Sequence, residues 1–274
     1  MVQSAAAGAA PRTRREARAL LRPSPGAEPA LVPLPAHLRR PRRGVQPRVG
    51  FRPDVEGLRA VAVVLVVAFH AGLTVVPGGY VGVDVFFVIS GFLITGLLVD
   101  EVRATGSISI ADFYARRARR LLPAACLVLV VTVLVTAVVL PALDRPAVAG
   151  DVQAAALFVA NWRFAALETD YFASGGHSLV VHFWSLSVEE QFYLVWPVLV
   201  LLVAGRRRAA RRAAPPAPRA TDRRLWATLA PVGLVSLALS AATTGSAGPW
   251  AYFGTHTRAW ELAAGAAVAL SRPH

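Results

Sequence analysis

The chain predicts an all-α integral membrane protein: a bundle of about six spanning helices plus a re-entrant or interfacial segment, after a disordered N-terminal arm. Three observations carry this. Of 274 residues, 55% are hydrophobic and 16% charged, with a mean hydropathy of +0.50, too apolar for an ordinary soluble domain of that length. Apolar runs close to the ~20 residues that a spanning helix needs recur along the chain. The basic residues gather in blocks between those runs, and all 29 are arginine.

Residues 1–50 are rich in Ala, Pro and Arg and show no apolar period, a composition that cannot bury a core. They read as a disordered cytoplasmic arm. Arg14 and Arg15 have no apolar stretch close behind them and do not read as an export signal. Apolar runs follow at 58–76, 82–99, 121–140, 148–162, 183–204, 225–243 and 258–270. Arginine-rich short loops stay in the cytoplasm. The arginines before the first run, those at 116–120 and those at 206–224 are therefore placed inside. That requires an even number of crossings between the second and third blocks, where three runs lie, so one run does not cross. The weakest is 148–162, short and interrupted by Gln153 and Asn161, and segment 141–182 is assigned to the outer side with a partly embedded piece.

The net charge of +13 is explained by topology rather than by nucleic acid, because the arginines are not interleaved with aromatics on one face. Absence of lysine excludes Schiff-base chemistry and the lysine-dependent phosphate loop. The single cysteine, Cys126, lies in an apolar run and excludes a disulfide framework. Six histidines show no metal-ligand spacing, His177 and His182 making only a weak pair, so no metal is expected.

Polar residues within the runs are the candidates for chemistry, since an ionisable group in a spanning helix normally faces a cavity or partner. Arg59 and His70 are eleven residues apart, three helical turns to within about 20°, and share one face roughly 16 Å apart along the axis. Imidazole suits proton transfer near neutral pH. Interfacial snorkelling is the plainer role for Arg59, and a hydrogen bond to a neighbouring helix the plainer one for His70. Asp84 either orients His70 or serves the macrodipole of a helix first turn. In FYARRARRLLP, Arg117 and Arg120 stand one turn apart, a spacing at which guanidinium forks clamp a phosphate; positive-inside anchoring explains them as well.

In FWSLSVEEQFYLVWP, Ser187 and Glu190 have the form of a capping box, with Ser187 at the N-cap and Glu190 three residues on. Glu189 is left without that duty, four residues from both Ser185 and Tyr193, and is the better catalytic candidate.

The Arg59 and His70 pair, GVDVFFVISGFLIT, FYARRARRLLP, HFWSLSVEEQFYLVWP and TRAWELAAGAAVAL, in this order, resemble the membrane acyltransferase 3 family. NWRFAALETDYFA is similar to members that carry an additional SGNH hydrolase-like domain. The resemblance implies a multi-pass protein of the bacterial inner membrane with a cytoplasmic N-terminus. It implies transfer of an acyl group, usually acetyl, from cytoplasmic acyl-CoA to hydroxyls of a cell-envelope glycan, with the lipid bilayer as solvent and no permanently bound cofactor. Carried over by position, it implies catalytic roles for His70, Glu189 and Asp84 and donor binding by Arg59, Arg117 and Arg120. Ser185, Arg258 and Glu261 belong to its further motifs. Members of the family have more helices after the segment matched by TRAWELAAGA, so 51–274 reads as the N-terminal part of such a domain, with a partner that supplies the missing helices as one option. An inactive fragment or assembly subunit is the alternative, and a transporter the third, since ionisable residues along one helix face also suit a relay.

Overall fold

The computed structural model describes residues 52–272 except 74, 76, 170, 172–177, 211–217 and 246–247, with side chains described outside 204–221. The arm expected at 1–50 and His177 lie outside the described residues. Helix α1 (Pro53–His70) leads through a 3-10 turn (Gly79–Val81) into α2 (Gly82–Thr105), α3 (Ile110–Val139), α4 (Arg145–Ala156), α5 (Ala160–Ala166), α6 (Phe183–Ala210), α7 (Pro218–Thr243), α8 (Pro249–Phe253) and α9 (Thr255–Leu270). No strand occurs among the described residues.

Among the described residues, four stretches are long and apolar enough to cross a membrane: Gly79–Thr105, Ile110–Val139, Phe183–Val203 and Asp222–Thr243. Two of the six expected spans fall short. The 18 residues of α1 include Asp54, Glu56 and Arg59, and the 16 of α9 include Arg258 and Glu261. At 1.5 Å per residue α9 is about 24 Å long, less than the ~30 Å of a hydrocarbon core. The run at 148–162 forms no crossing helix. It is divided between α4, of 12 residues, and α5, of 7, with a break at Phe158, whose φ is 54°.

Close approach of backbones organises the bundle. A Cβ added to Gly91 would lie 1.9 Å from Leu262 O, and one on Gly265 would lie 1.8 Å from Val88 O. Reciprocal glycines thus let α2 and α9 touch backbone to backbone, the small-residue solution to packing helices in lipid. Arg258 of α9 reaches Asp84 of α2, and Arg272 beyond α9 reaches Phe92, so the two helices run in the same direction. Helix α1 packs antiparallel to α2: Gly79 lies against Leu65 and Phe69, and Gly82 against Ala62 and Val66. Two apolar cores result. One, toward the His70 end, gathers Phe87, Phe164, Trp184, Phe253 and Leu262. The other, toward the Thr105 end, gathers Leu98, Phe113, Tyr193, Trp196 and Leu225. Along α3 and α7 most valines and leucines face outward, among them Leu127, Leu134 and Leu234, as an apolar solvent permits.

Two helix starts differ from the sequence reading. Helix α3 begins at Ile110, so Arg117 and Arg120 lie inside it rather than ahead of it; Ser109 caps it, its Oγ accepting from Asp112 N at 3.4 Å. Helix α6 begins at Phe183, after a turn closed by Val181 N to Ser178 O and Phe183 N to Val180 O. Ser187 therefore lies in the second turn, where its hydroxyl donates to Phe183 O at 2.8 Å. The expected capping box does not form, because winding starts four residues earlier than Ser187 and leaves no orphan N–H there to cap.

Candidate active site

Polar side chains that the apolar runs isolate in sequence are brought together in three places along α2. The first is at the C-terminus of α1, where the His70 imidazole is exposed. Its Nδ1 is 2.8 Å from Val66 O, and its Nε2 is 3.1 Å from the Tyr171 hydroxyl. A carbonyl oxygen only accepts, so Nδ1 carries the hydrogen and Nε2 presents the lone pair in the neutral ring. The Phe69 and Tyr171 rings stand edge-on to the imidazole at 5.5 and 6.0 Å. Nearby, His182 has its imidazole held below the ordinary range, first by loss of water on the side facing the protein and then by the charge of His70.

The second is centred on Arg258. Its Nη1 donates to Asp84 at 3.0 Å and to Glu261 at 2.8 Å, and its Nε donates to Tyr252 O at 2.9 Å. The guanidinium lies 4.8 Å from the centroid of Tyr252 and 5.8 Å from that of Trp184. Asp84 sits in the first turn of α2, as one sequence reading had it, and its carboxylate is joined to Arg258. The alternative pairing of Asp84 with His70 does not form, since the two imidazole nitrogens bond to Val66 and Tyr171.

The third lies where α2, α3 and α6 meet. Ser90 donates to Glu189 Oε1 at 2.5 Å, and the Tyr193 hydroxyl donates to the same oxygen. Arg117 Nη2 is 4.0 Å from Glu189 Oε1 and donates to Glu190 Oε1 at 3.1 Å, while its guanidinium lies 3.4 Å from the Tyr193 centroid. Glu190, read from the sequence as a cap, is thus the ion-pair partner of Arg117. The expected Arg117 and Arg120 clamp is divided: Arg117 turns inward to carboxylates, and Arg120 is exposed. Arg59 pairs with Glu56 one turn earlier at 3.0 Å, and the Ser185 hydroxyl donates to His182 O at 3.3 Å.

Several participants were not singled out from sequence. Ser90 is a lone hydroxyl in an apolar run, with nothing local to mark it. Tyr171 lies 101 residues from the histidine it meets. Asn161, seen only as an interruption, anchors α5 by donating to Phe253 O and to Thr255 Oγ1, both at 3.0 Å. Gln191 joins this network, donating to Asn161 Oδ1 at 3.0 Å. Among the described residues, no group of three or more His, Cys, Asp and Glu is placed to hold a metal ion.

A membrane-type helical bundle with buried arginine–carboxylate groups and a histidine offering a ring lone pair defines an integral membrane protein equipped for polar chemistry. Residues 52–274 match the acyltransferase domain family Acyl_transf_3, and the chain belongs to that family. It is similar to the peptidoglycan O-acetyltransferase OatA of Listeria monocytogenes, with 34% identity over 224 residues, covering 81% of this chain and 34% of that protein. Similarity to the O-acetyltransferase OatA of Staphylococcus aureus is 34% over 229 residues, covering 81% and 35%. A putative O-acetyltransferase of Staphylococcus aureus, SAS0844, shares 40% over 154 residues, covering 56% and 25%. The chain spans about a third of the length of the first two relatives. No solved structure matches it.

Proposed function

We propose that the chain is the membrane part of an O-acyltransferase that moves an acetyl group from cytoplasmic acetyl-CoA to hydroxyls of a cell-envelope glycan, peptidoglycan being the first candidate. The observation that carries the reading is the His70 imidazole, whose Nδ1 hydrogen is committed to Val66 O and whose Nε2 lone pair is presented beside Tyr171. Nε2 takes the proton of the acceptor hydroxyl as its oxygen attacks the thioester carbonyl; the carbon–sulfur bond breaks and the CoA thiolate leaves. Tyr171 yields its hydrogen bond to Nε2 when the acceptor arrives. Arg120, exposed on α3, meets a donor phosphate, Arg59 lies along the path toward His70, and Glu189 supplies a carboxylate deeper in the bundle. This reading places the protein in a bacterial cell membrane with its N-terminus cytoplasmic, on the distribution of arginine blocks.

Incorporation of label from radiolabelled acetyl-CoA, in membranes carrying the whole chain, tests the reading against His70→Ala. Incorporation that disappears in the variant, with insertion unchanged, supports it. Equal incorporation in both removes His70 from the mechanism.

A further inference from the structure

Two guanidinium groups share one aromatic ring at the point where α1 begins and α9 ends. Arg272, two residues beyond α9, lies 3.8 Å from the centroid of Phe92, and Arg52, the residue before α1, lies 5.7 Å from it. Like charges brought to one ring repel, and an anion between them relieves the repulsion. Arg52 is already chelated by Asp54, with contacts of 2.9 and 2.5 Å. Arg272 is different. Among the described residues it makes no hydrogen bond and no ion pair within 4 Å, so its donor fork is unspent on the protein. Burial against Phe92, then the charge of Arg52, pushes its pKa down.

Depth favours a ligand over simple anchoring. From Phe92, α2 continues for eight residues, about 12 Å, before its next acidic residue, Asp100. An anchoring arginine extends toward headgroups, whereas this one lies flat on the Phe92 ring with its Nη1 beside Gly96, one turn from Asp100, whose charge also acts on it. Gly96 keeps the α2 surface open beside it: a Cβ there would lie 3.8 Å from Arg272 Nη1. The Thr105 half of α2 also adjoins the arginine-rich start of α3, through the Arg116 and Glu101 contact of 3.7 Å.

We propose that Arg52 and Arg272 form a binding site for a phosphate or pyrophosphate group, distinct from the basic motif on α3. In naming acyl-CoA as the source of that group, the assignment rests on the acyltransferase reading above. Two planar forks facing one anion are suited to the paired oxygens of a pyrophosphate. Arg272 supplies free donors, and Arg52 supplies charge while Asp54 holds it in place.

The test is calorimetric titration of the whole chain in phosphatidylcholine nanodiscs with inorganic pyrophosphate. Affinity falls about tenfold or more in Arg272→Ala, the loss expected for a charge-assisted bidentate contact. Arg272→Lys, which keeps the charge but not the fork, falls between, and it keeps the test decisive if the alanine variant does not insert. Equal affinity in wild type and both variants, or no binding to the wild type, overturns the site. Repeating the titration in phosphatidylglycerol nanodiscs separates the sources: competition by that lipid dependent on Arg272 makes the headgroup the occupant and overturns the donor assignment. Pyrophosphate binding that needs Arg272 but is not displaced by acetyl-CoA keeps the anion site and rejects the acyltransferase link. Acetyl incorporation that needs His70, beside pyrophosphate binding that is unchanged in both Arg272 variants, does the opposite.

Discussion

Arg258 and Arg117 are built alike and differ in what surrounds them. Each guanidinium stands between two carboxylates and against a tyrosine ring: Asp84, Glu261 and Tyr252 for the first, Glu190, Glu189 and Tyr193 for the second. Around Arg258 the packing is closed on the Glu261 side, while Asp84 keeps 30% exposure. The Glu261 side chain is 1% exposed, and the reciprocal glycines press α2 onto α9 close by. Around Arg117 the three charged side chains keep 17–25% exposure, and Glu189 Oε1 is held by the two hydroxyls of Ser90 and Tyr193. A closed group fixes helices, because charges taken from water hold only in one geometry. An open one can exchange a partner, which chemistry requires. On the proposed function, the buried Arg258–Glu261 pair serves chiefly stability, and the Arg117 group lies where a partner can exchange.

The largest expected effect breaks the closed region. Gly265→Leu places side-chain atoms where a Cβ alone would already be 1.8 Å from Val88 O, so α9 must leave α2. The overpacking cost exceeds the usual ~1–3 kcal/mol because the obstacle is backbone. Loss of a monodisperse peak in detergent size-exclusion chromatography is the expected outcome, and an unchanged peak would mean the glycine contact is not made. Next in size, Arg258→Ala leaves two acids without their base, at a cost of about 3–5 kcal/mol by analogy with other broken buried pairs. Arg117→Ala should cost less than Arg258→Ala in melting temperature, since water reaches both of its partners, whereas Glu261 is out of reach of water. The reverse order would remove the division between the two groups.

Hydropathy made the bundle legible, because lipid demands long apolar runs and arginine marks their ends. It also picked 148–162 as the run that does not cross, where α4 and α5 break at Phe158. It could not show that Arg117 pairs with Glu190, 73 residues away, or that Asp84 meets Arg258 across 174. Such pairings are set by which helices touch, and nothing in the sequence tells which helix Gly91 or Gly265 packs against. The Ser187 error has a local cause. A Ser-x-x-Glu pattern signals a cap only if the chain is not already helical, and the turn from Ser178 to His182 decides that from outside the pattern.

Within the open region, Glu189→Gln separates the roles of the two adjacent carboxylates. Amide nitrogen in place of a carboxylate oxygen removes the charge toward which Ser90 and Tyr193 both donate, while the side chain keeps its shape. Glu190→Gln leaves Glu189 within 4.0 Å of Arg117 as the remaining counter-charge. Acetyl incorporation is accordingly expected to fall more in Glu189→Gln, by about a hundredfold or more, the scale of a single positioned acid–base group. A larger loss in Glu190→Gln would make the Arg117 pair, rather than Glu189, the centre of the open region.

The smallest effect concerns His182, at the rim beside His70. Its imidazole titrates below the ordinary range in the folded protein, so the folded state holds fewer protons than the unfolded one as pH falls through the usual histidine range. The sign follows: His182 opposes folding progressively more as pH drops from about 7 toward 5 and stops adding to the loss once its folded-state value is passed. Replacing it by Gln removes that dependence. Melting temperatures at pH 7 and pH 5 should therefore differ less in His182→Gln than in the wild type. A difference that stays the same would show that neither loss of water nor the charge of His70 depresses the His182 imidazole.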